Sequence, residues 1–204
     1  MTLSLILASQ SPRRKELLSQ IGYMFSSVPS HINEDLVENE KATDYVQRLA
    51  IEKAKAVSET LSLQQKKSTI IIGSDTSVVY NGNILGKPSN FNECAQQLAM
   101  LSGNTHQVLT SIAVIHQDRC LSEVVTTHVT FKILTPDEIA RYWATGEPKD
   151  KAGSYGIQGI AGQFVTNISG SYSAVVGLPL FETAQLLSHF GMPTPIQQSL
   201  KENL

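Results

Sequence analysis

"TIIIGSDTSVVYNGNILGKP", residues 69–88, carries the pattern that decides the fold. Ile70, Ile71 and Ile72, then Val78 and Val79, form an apolar, β-branched run of the kind that fills a buried strand. Asn81-Gly82, between Val79-Tyr80 and Asn83-Ile84, is the signal of a two-residue hairpin, because its central positions need positive φ. The hairpin sets a register in which Tyr80 faces Asn83, and counting outward brings Thr76 opposite Lys87. In an unbroken strand Asp75 and Thr76 point to opposite faces, so a site that uses Asp75 with Lys87 needs a bulge, which Gly73 and Gly86 would permit.

Asp75 interrupts this apolar run. A carboxylate is costly to bury unless it is paired or bound to a metal. An aspartate folded back on its own backbone in a turn is one reading. A magnesium site is the other: Mg²⁺ takes one or two carboxylates together with phosphate oxygens and water, and acidic residues such as Glu34 are at hand.

Outward from this hairpin, strand-like and helix-like stretches alternate. "LILASQSPRRKELL", residues 5–18, reads as a short buried strand, an N-cap at Ser11, Pro12 at the first helical position and an apolar stripe through Leu17 and Leu18. Arg13, Arg14 and Lys15 then occupy the first helical turn, where the macrodipole disfavours each cation by roughly 0.3–1 kcal/mol. "LTPDEIARYWATG", residues 134–146, shows the opposite arrangement, with Thr135 and Glu138 spaced as a capping box and acids in the first turn. The reversed charges after Ser11 either fan into solvent or mark an anion site, with phosphate the natural anion.

"DYVQRLAIEKAKAVSETL" is a helix striped by Val46, Leu49, Ala50, Ala54 and Val57, and Lys53 falls inside that stripe, either snorkelling outward or reaching an anion in a cleft. "SHINEDLVENEKA" is an acidic connection, "QQKKS" a turn, and "NFNECAQQLAMLSG" a helix opened by Asn90 and stopped by Gly103. "HQVLTSIAVIH" and "LSEVVTTHVTFKIL" are strands joined at Gln117-Asp118-Arg119. The glycine-rich "DKAGSYGIQGIAG" lets backbone pass close to a ligand, but lacks the spacing of a P-loop.

The net charge of −2 over 204 residues excludes a broad basic face for nucleic acid, and six Tyr, six Phe and one Trp are scattered without a stacking platform. Cys94 and Cys120 read as reduced thiols packed as small hydrophobes, and His106, His116 and His128 fit no metal spacing. The apolar start of the chain ends too early for a signal peptide, and no stretch is long enough to cross a bilayer, which makes a cytoplasmic protein without a membrane partner the expectation.

"LILASQSPRRKELL", "EKAKA", "IIGSDTSVVYNGNILGKP", "LSGNTHQVLT", "DKAGSYGIQG" and "SYSAVVGLPL", taken in order, resemble the Maf family of nucleoside triphosphate pyrophosphatases. Residues 192–204, with Pro193 and Pro195, read as a flexible tail, and the resemblance implies a single domain over residues 1–191. It implies an α/β fold with a mixed, twisted central sheet flanked by helices. Two lobes would surround a deep cleft, similar to the inosine-triphosphate pyrophosphatase architecture, and the protein would be a homodimer. The implied reaction hydrolyses a nucleoside triphosphate to the monophosphate and pyrophosphate. A 7-methylguanosine-triphosphate subgroup has tryptophan after "SP", glutamine after the central aspartate and "SEG" in the glycine-rich loop. Arg13, Thr76 and "IQG" with Gln158 stand there instead, similar to the dTTP/UTP subgroup, while Ser74 replaces a frequent alanine.

The roles implied by the resemblance are these. Ser9, Arg13, Arg14, Lys53 and Lys87 bind substrate with Thr76, and Gln158 reads the base. Asp75 acts as catalytic base and, with Glu34, as ligand to Mg²⁺ or Mn²⁺. A second class, a nucleotide-binding regulator of septum formation without turnover, also follows from the family.

Overall fold

A computed structural model describes residues 3–196 of the chain. The fold is mixed α/β, a central mixed sheet flanked by helices. Strands run in the order β2 (Ser26–Ser27), β1 (Ser4–Leu7), β3 (Thr69–Tyr80), β5 (Thr105–His116), β6 (Arg119–Phe131) and β7 (Val165–Ser169), with β4 (Asn83–Leu85) on β3. The chain gathers into two compact units, the first built from residues up to Asp75, Thr110–Val124 and the stretch from Gly177 onward, the second from Thr76–Leu109 and Val125–Val176. Three strands, β3 (Thr69–Tyr80), β5 (Thr105–His116) and β6 (Arg119–Phe131), contribute residues to both.

In the first unit β1 (Ser4–Leu7) lies parallel between β2 (Ser26–Ser27) and β3, with Ile6 opposite both Ser26 and Ile71. Parallel neighbours need crossovers, which α1 (Pro12–Gln20), α2 (Ala42–Glu59) and α3 (Leu63–Ser68) supply. Within "YMFSSVP", residues 23–29, only Ser26 and Ser27 are strand. "QQKKS" is helical rather than a turn: Ser62 Oγ accepts the Gln65 N–H (3.3 Å) and the Gln65 side chain accepts the Ser62 N–H (2.9 Å), a capping box that starts α3.

The striped helix α2 buries Val46, Leu49, Ala50, Lys53, Ala54 and Val57. It lies directly on β3 at Gly73, where a Cβ would stand 2.1 Å from the Ala50 carbonyl oxygen and 2.8 Å from the Ala54 nitrogen. Gly73 therefore admits the helix rather than a bulge, and β3 runs as one strand from Thr69 to Tyr80. A last helix, α7 (Leu180–His189), closes the unit. Beyond it the Met192 carbonyl faces the Tyr23 hydroxyl at 3.5 Å; the end of the expected tail, residues 197–204, lies outside the described residues.

In the second unit β4 (Asn83–Leu85) pairs antiparallel with β3, Tyr80 opposite Asn83 and Val78 opposite Leu85, as the Asn81-Gly82 turn requires. The ladder ends there, so the expected pairing of Thr76 with Lys87 does not form. The Gly86 carbonyl instead accepts the Gly153 N–H (3.1 Å) and the Gln97 amide (3.2 Å), and Pro88 has no N–H to continue the ladder. Helices α4 (Phe91–Leu101), α5 (Pro136–Ala144) and α6 (Tyr172–Val176), with β7 (Val165–Ser169) on β6, complete it. Asn90 and Thr135 cap α4 and α5 as expected. Phe131, Tyr155, Phe164 and Tyr142 form an edge-to-face aromatic core, with Phe131 and Tyr155 centroids 4.8 Å apart. Cys94 packs in this core, whereas Cys120 is exposed on β6 and not buried as its residue type suggested. No helix among the described residues is long and apolar enough to cross a membrane.

Candidate active site

Asp75 is 6% exposed, and its charge is met by Lys53, 7% exposed, whose Nζ stands 2.7 Å from Asp75 Oδ1. The close seat of α2 on Gly73 delivers Lys53 there. Of the two readings of this lysine, the outward one is thus set aside. The same ammonium takes Glu34 Oε1 at 2.8 Å, so two carboxylates from a strand and a loop converge on one cationic point. Asp75 is no turn aspartate folded on itself.

The acidic loop is pinned by α2 at two further points. Tyr45 donates its hydroxyl to the Glu34 carbonyl (2.8 Å), and Arg48 grips Glu40 with Nε (2.6 Å) and Nη2 (2.7 Å) while Nη2 also donates to the Asp35 carbonyl (3.1 Å). This clamp turns Glu34 and not Asp35 toward Lys53. Burial, then Asp75 and Glu34, push the Tyr45 hydroxyl up to about 12, so it stays a donor. Glu52, at i+4 from Arg48, is a pair visible in the sequence, but nothing local links Arg48 to Glu40, and sequence reasoning gives no role to Tyr45, Arg48 or Glu40.

The start of α1 is arranged differently from its expectation. Ser11 occupies the N-cap position but its side chain makes no cap bond; its N–H instead donates to Ser9 Oγ (3.1 Å), and the Ser9 carbonyl accepts the Ser27 hydroxyl (2.5 Å). Arg14 donates Nε to the Gly177 carbonyl (2.8 Å) and Nη1 lies 3.5 Å from Ser9 Oγ. Burial lowers the Arg14 pKa most, Asp75 opposes this, Arg13 adds to the lowering and Glu34 opposes it, so these charges share one field. Ser74 also donates to the Gly177 carbonyl (3.1 Å), a bond an alanine there could not make. Arg13 is half-buried, with no hydrogen bond or ion pair among the described residues.

Thr76, Lys87 and Gln158 belong to the second unit. Thr76 is half-buried; Lys87 and Gln158 are exposed. Lys87 follows Gly86, whose carbonyl is held by Gln97 and Gly153, and Gln97 in turn receives the Ser154 hydroxyl at 2.5 Å. Gln158 sits at the centre of a turn closed by the Gly159 N–H on the Gly156 carbonyl (3.0 Å). Of the histidines, His106 is buried against Tyr155, His116 bonds the Thr69 carbonyl and His128 is exposed.

The profile of the family described as Maf-like protein matches residues 4–190. The chain belongs to the Maf family. A protein of Colwellia psychrerythraea named dTTP/UTP pyrophosphatase is 60% identical over 92% of this chain and 88% of its own length. One of the same name from Vibrio parahaemolyticus is 54% identical over 93% and 98%. The solved structure of the Staphylococcus aureus Ham1 protein aligns with 64% of this chain and 72% of its own at 17% identity and a TM-score of 0.37, a distant likeness on which nothing rests.

Proposed function

We propose that the protein hydrolyses dTTP and UTP to the nucleoside monophosphate and pyrophosphate. The observation that supports this most is the buried Asp75 carboxylate, joined by Glu34 on one ammonium, in a Maf chain 60% identical to a relative named for that activity. A pure nucleotide binder has no use for a carboxylate buried among cations, which disfavours a regulator without turnover.

The donor set suits a hard divalent cation. Two carboxylate oxygens already converge on a positive point, and Mg²⁺ or Mn²⁺ needs little more from protein when phosphate and water supply the remaining oxygens. Asp75 and Glu34 would hold it, and when bound it would neutralise phosphate charge and acidify a water. Asp75 accepts a proton from the water that attacks the α-phosphorus; the bond from that phosphorus to the bridging oxygen breaks, and pyrophosphate leaves. Arg13 and Arg14 bind phosphate oxygens, Arg14 from a guanidinium already braced on Gly177 and Ser9. Lys53 gathers the two carboxylates and offsets their mutual repulsion. Lys87 adds a cation for phosphate, Thr76 contributes to substrate binding, and Gln158 reads the base. Thymine and uracil present O4 as acceptor and N3–H as donor, which one carboxamide can match.

The test is pyrophosphate and monophosphate release from dTTP, UTP, CTP and GTP, with Mg²⁺ and Mn²⁺ in turn. Metal-dependent release with dTTP and UTP ahead of CTP and GTP is expected. Tight dTTP binding without turnover would favour the regulator, and equal kcat/KM across the four would overturn the substrate assignment.

A further inference from the structure

Glu147 has no part in the roles above, yet three donors of the second unit converge on its carboxylate. Tyr142 donates its hydroxyl to Oε1 at 2.9 Å, the Ile160 N–H donates to Oε2 at 2.8 Å and the Ala161 N–H to Oε1 at 3.3 Å. The two N–H groups open the short 3₁₀ turn Ile160–Phe164, whose first amides have no acceptor within the turn itself. Gly159 lies flat against the carboxylate, where a Cβ would stand 2.4 Å from Oε2 and 2.5 Å from Oε1. Its φ of −102° is open to any residue. A side chain there would therefore have to displace the carboxylate, and not the backbone.

Gln158 immediately precedes this glycine. Its carboxamide is exposed and has no hydrogen bond among the described residues, so only its backbone sets where it points. The Tyr142 hydroxyl also receives the Gly156 N–H at 3.4 Å, so the Glu147–Tyr142 pair touches the chain on both sides of Gln158. Orientation matters because half a turn of a carboxamide exchanges its donor and acceptor, and with them the preference between uracil and cytosine edges.

We propose that Glu147 is a specificity-determining positioning residue, whose carboxylate holds the turn from which Gln158 distinguishes thymine and uracil from cytosine. This rests on the base-reading role of Gln158 given above.

The experiment measures kcat/KM for dTTP and CTP, and the metal concentration for half-maximal rate, in the unmodified protein and in Glu147→Ala, Gly159→Ala, Gln158→Ala and the Glu147→Ala/Gln158→Ala pair. Glu147→Ala and Gly159→Ala should each lower the dTTP:CTP ratio about tenfold or more, since displacement by an ångström costs that much or more, with the loss in KM for dTTP and the metal requirement unmoved. The pair should discriminate no worse than Gln158→Ala alone, because both act through one side chain. An unchanged ratio in Gln158→Ala would fell the reading of Gln158 and this inference with it. A collapsed ratio in Gln158→Ala beside an intact one in Glu147→Ala and Gly159→Ala would overturn the inference alone, as would an equal loss for both nucleotides. Should Glu147→Ala fail to fold, Tyr142→Phe removes one donor while keeping the ring; the ratio should again fall, and an unmoved ratio overturns the proposal.

Discussion

The acidic stretch around Glu34 and the glycine-rich stretch around Gln158 are both irregular, and each carries an exposed side chain given a role toward metal or substrate, yet they are held in opposite ways. Side-chain cations and a hydroxyl from a single helix, Lys53, Arg48 and Tyr45, hold the acidic loop by its carboxylates and carbonyls. A single carboxylate, Glu147, holds the glycine-rich loop by its backbone N–H groups, with Gly159 flat against it. Removing a charge is therefore the way to break the first, and adding a methyl group the way to break the second. The same division runs deeper: the first unit buries the Lys53–Asp75 ion pair, whereas the buried imidazole of the second is held neutral.

The largest effect belongs to the charged region. Asp75→Asn keeps Glu34 on Lys53 but removes the proton acceptor and one carboxylate, so kcat for dTTP should fall about a thousandfold or more while nucleotide binding persists. Steady-state kinetics beside equilibrium binding of dTTP checks this, and near-normal kcat would remove Asp75 from the chemistry.

A smaller effect tests the neutral region. Burial lowers the His106 pKa from 6.5 to about 4; the ring is packed on Phe131 and Tyr155, its Nε2 lies 2.8 Å from the Tyr155 hydroxyl, and its Nδ1 has no hydrogen-bond partner among the described residues. The unfolded chain binds this proton near pH 6.5 and the folded chain only near 4. The associated stability is therefore complete above pH 6.5 and lost as pH falls toward 4, by about 3 kcal/mol in all. Urea unfolding at pH 7.5 and 4.5 should show a larger drop in the unmodified protein than in His106→Gln. Equal drops would mean that carboxylates alone carry the acid sensitivity.

The smallest effect concerns the cations at the start of α1. Arg13→Ala should raise KM and lower kcat for dTTP together. Stability should hold or rise by about 0.3–1 kcal/mol, because a cation leaves the positive end of a helix. A lower Tm with intact kinetics would make Arg13 a structural residue and sharpen the contrast with Arg14, which is anchored to Gly177.

Much of this was legible along the chain because it is local. The caps at Asn90 and Thr135 act within one helical turn, the Asn81-Gly82 hairpin within four residues, and the stripe of α2 within one helix, so nearest neighbours determine each of them. The Ser62–Gln65 capping box is equally local, although "QQKKS" taken alone reads as a turn. The motif order placed the chain among Maf proteins, and Asp75 declared itself because a carboxylate in an apolar run needs a partner.

Which partner it has was decided only in three dimensions. Lys53 in a buried stripe could have turned outward; the close approach of α2 to Gly73 turns it onto Asp75. Glu34 and Asp35 are equivalent as letters, and the grip of Tyr45 and Arg48 on their carbonyls separates them. Counting from the hairpin carried the ladder past Leu85, but a carbonyl drawn away by Gln97 and Gly153 ended it. Glu147 carried no signal, since two of its three partners are backbone amides, which every sequence offers everywhere, and the third, the Tyr142 hydroxyl, stands at no regular helical spacing from it. The sequence by itself determined most of the elements, the family and the candidates for reactive residues, because those depend on side-chain type and short spacing. Tertiary structure alone decided which charges meet and which loops are held, because those depend on contacts between segments distant in the chain.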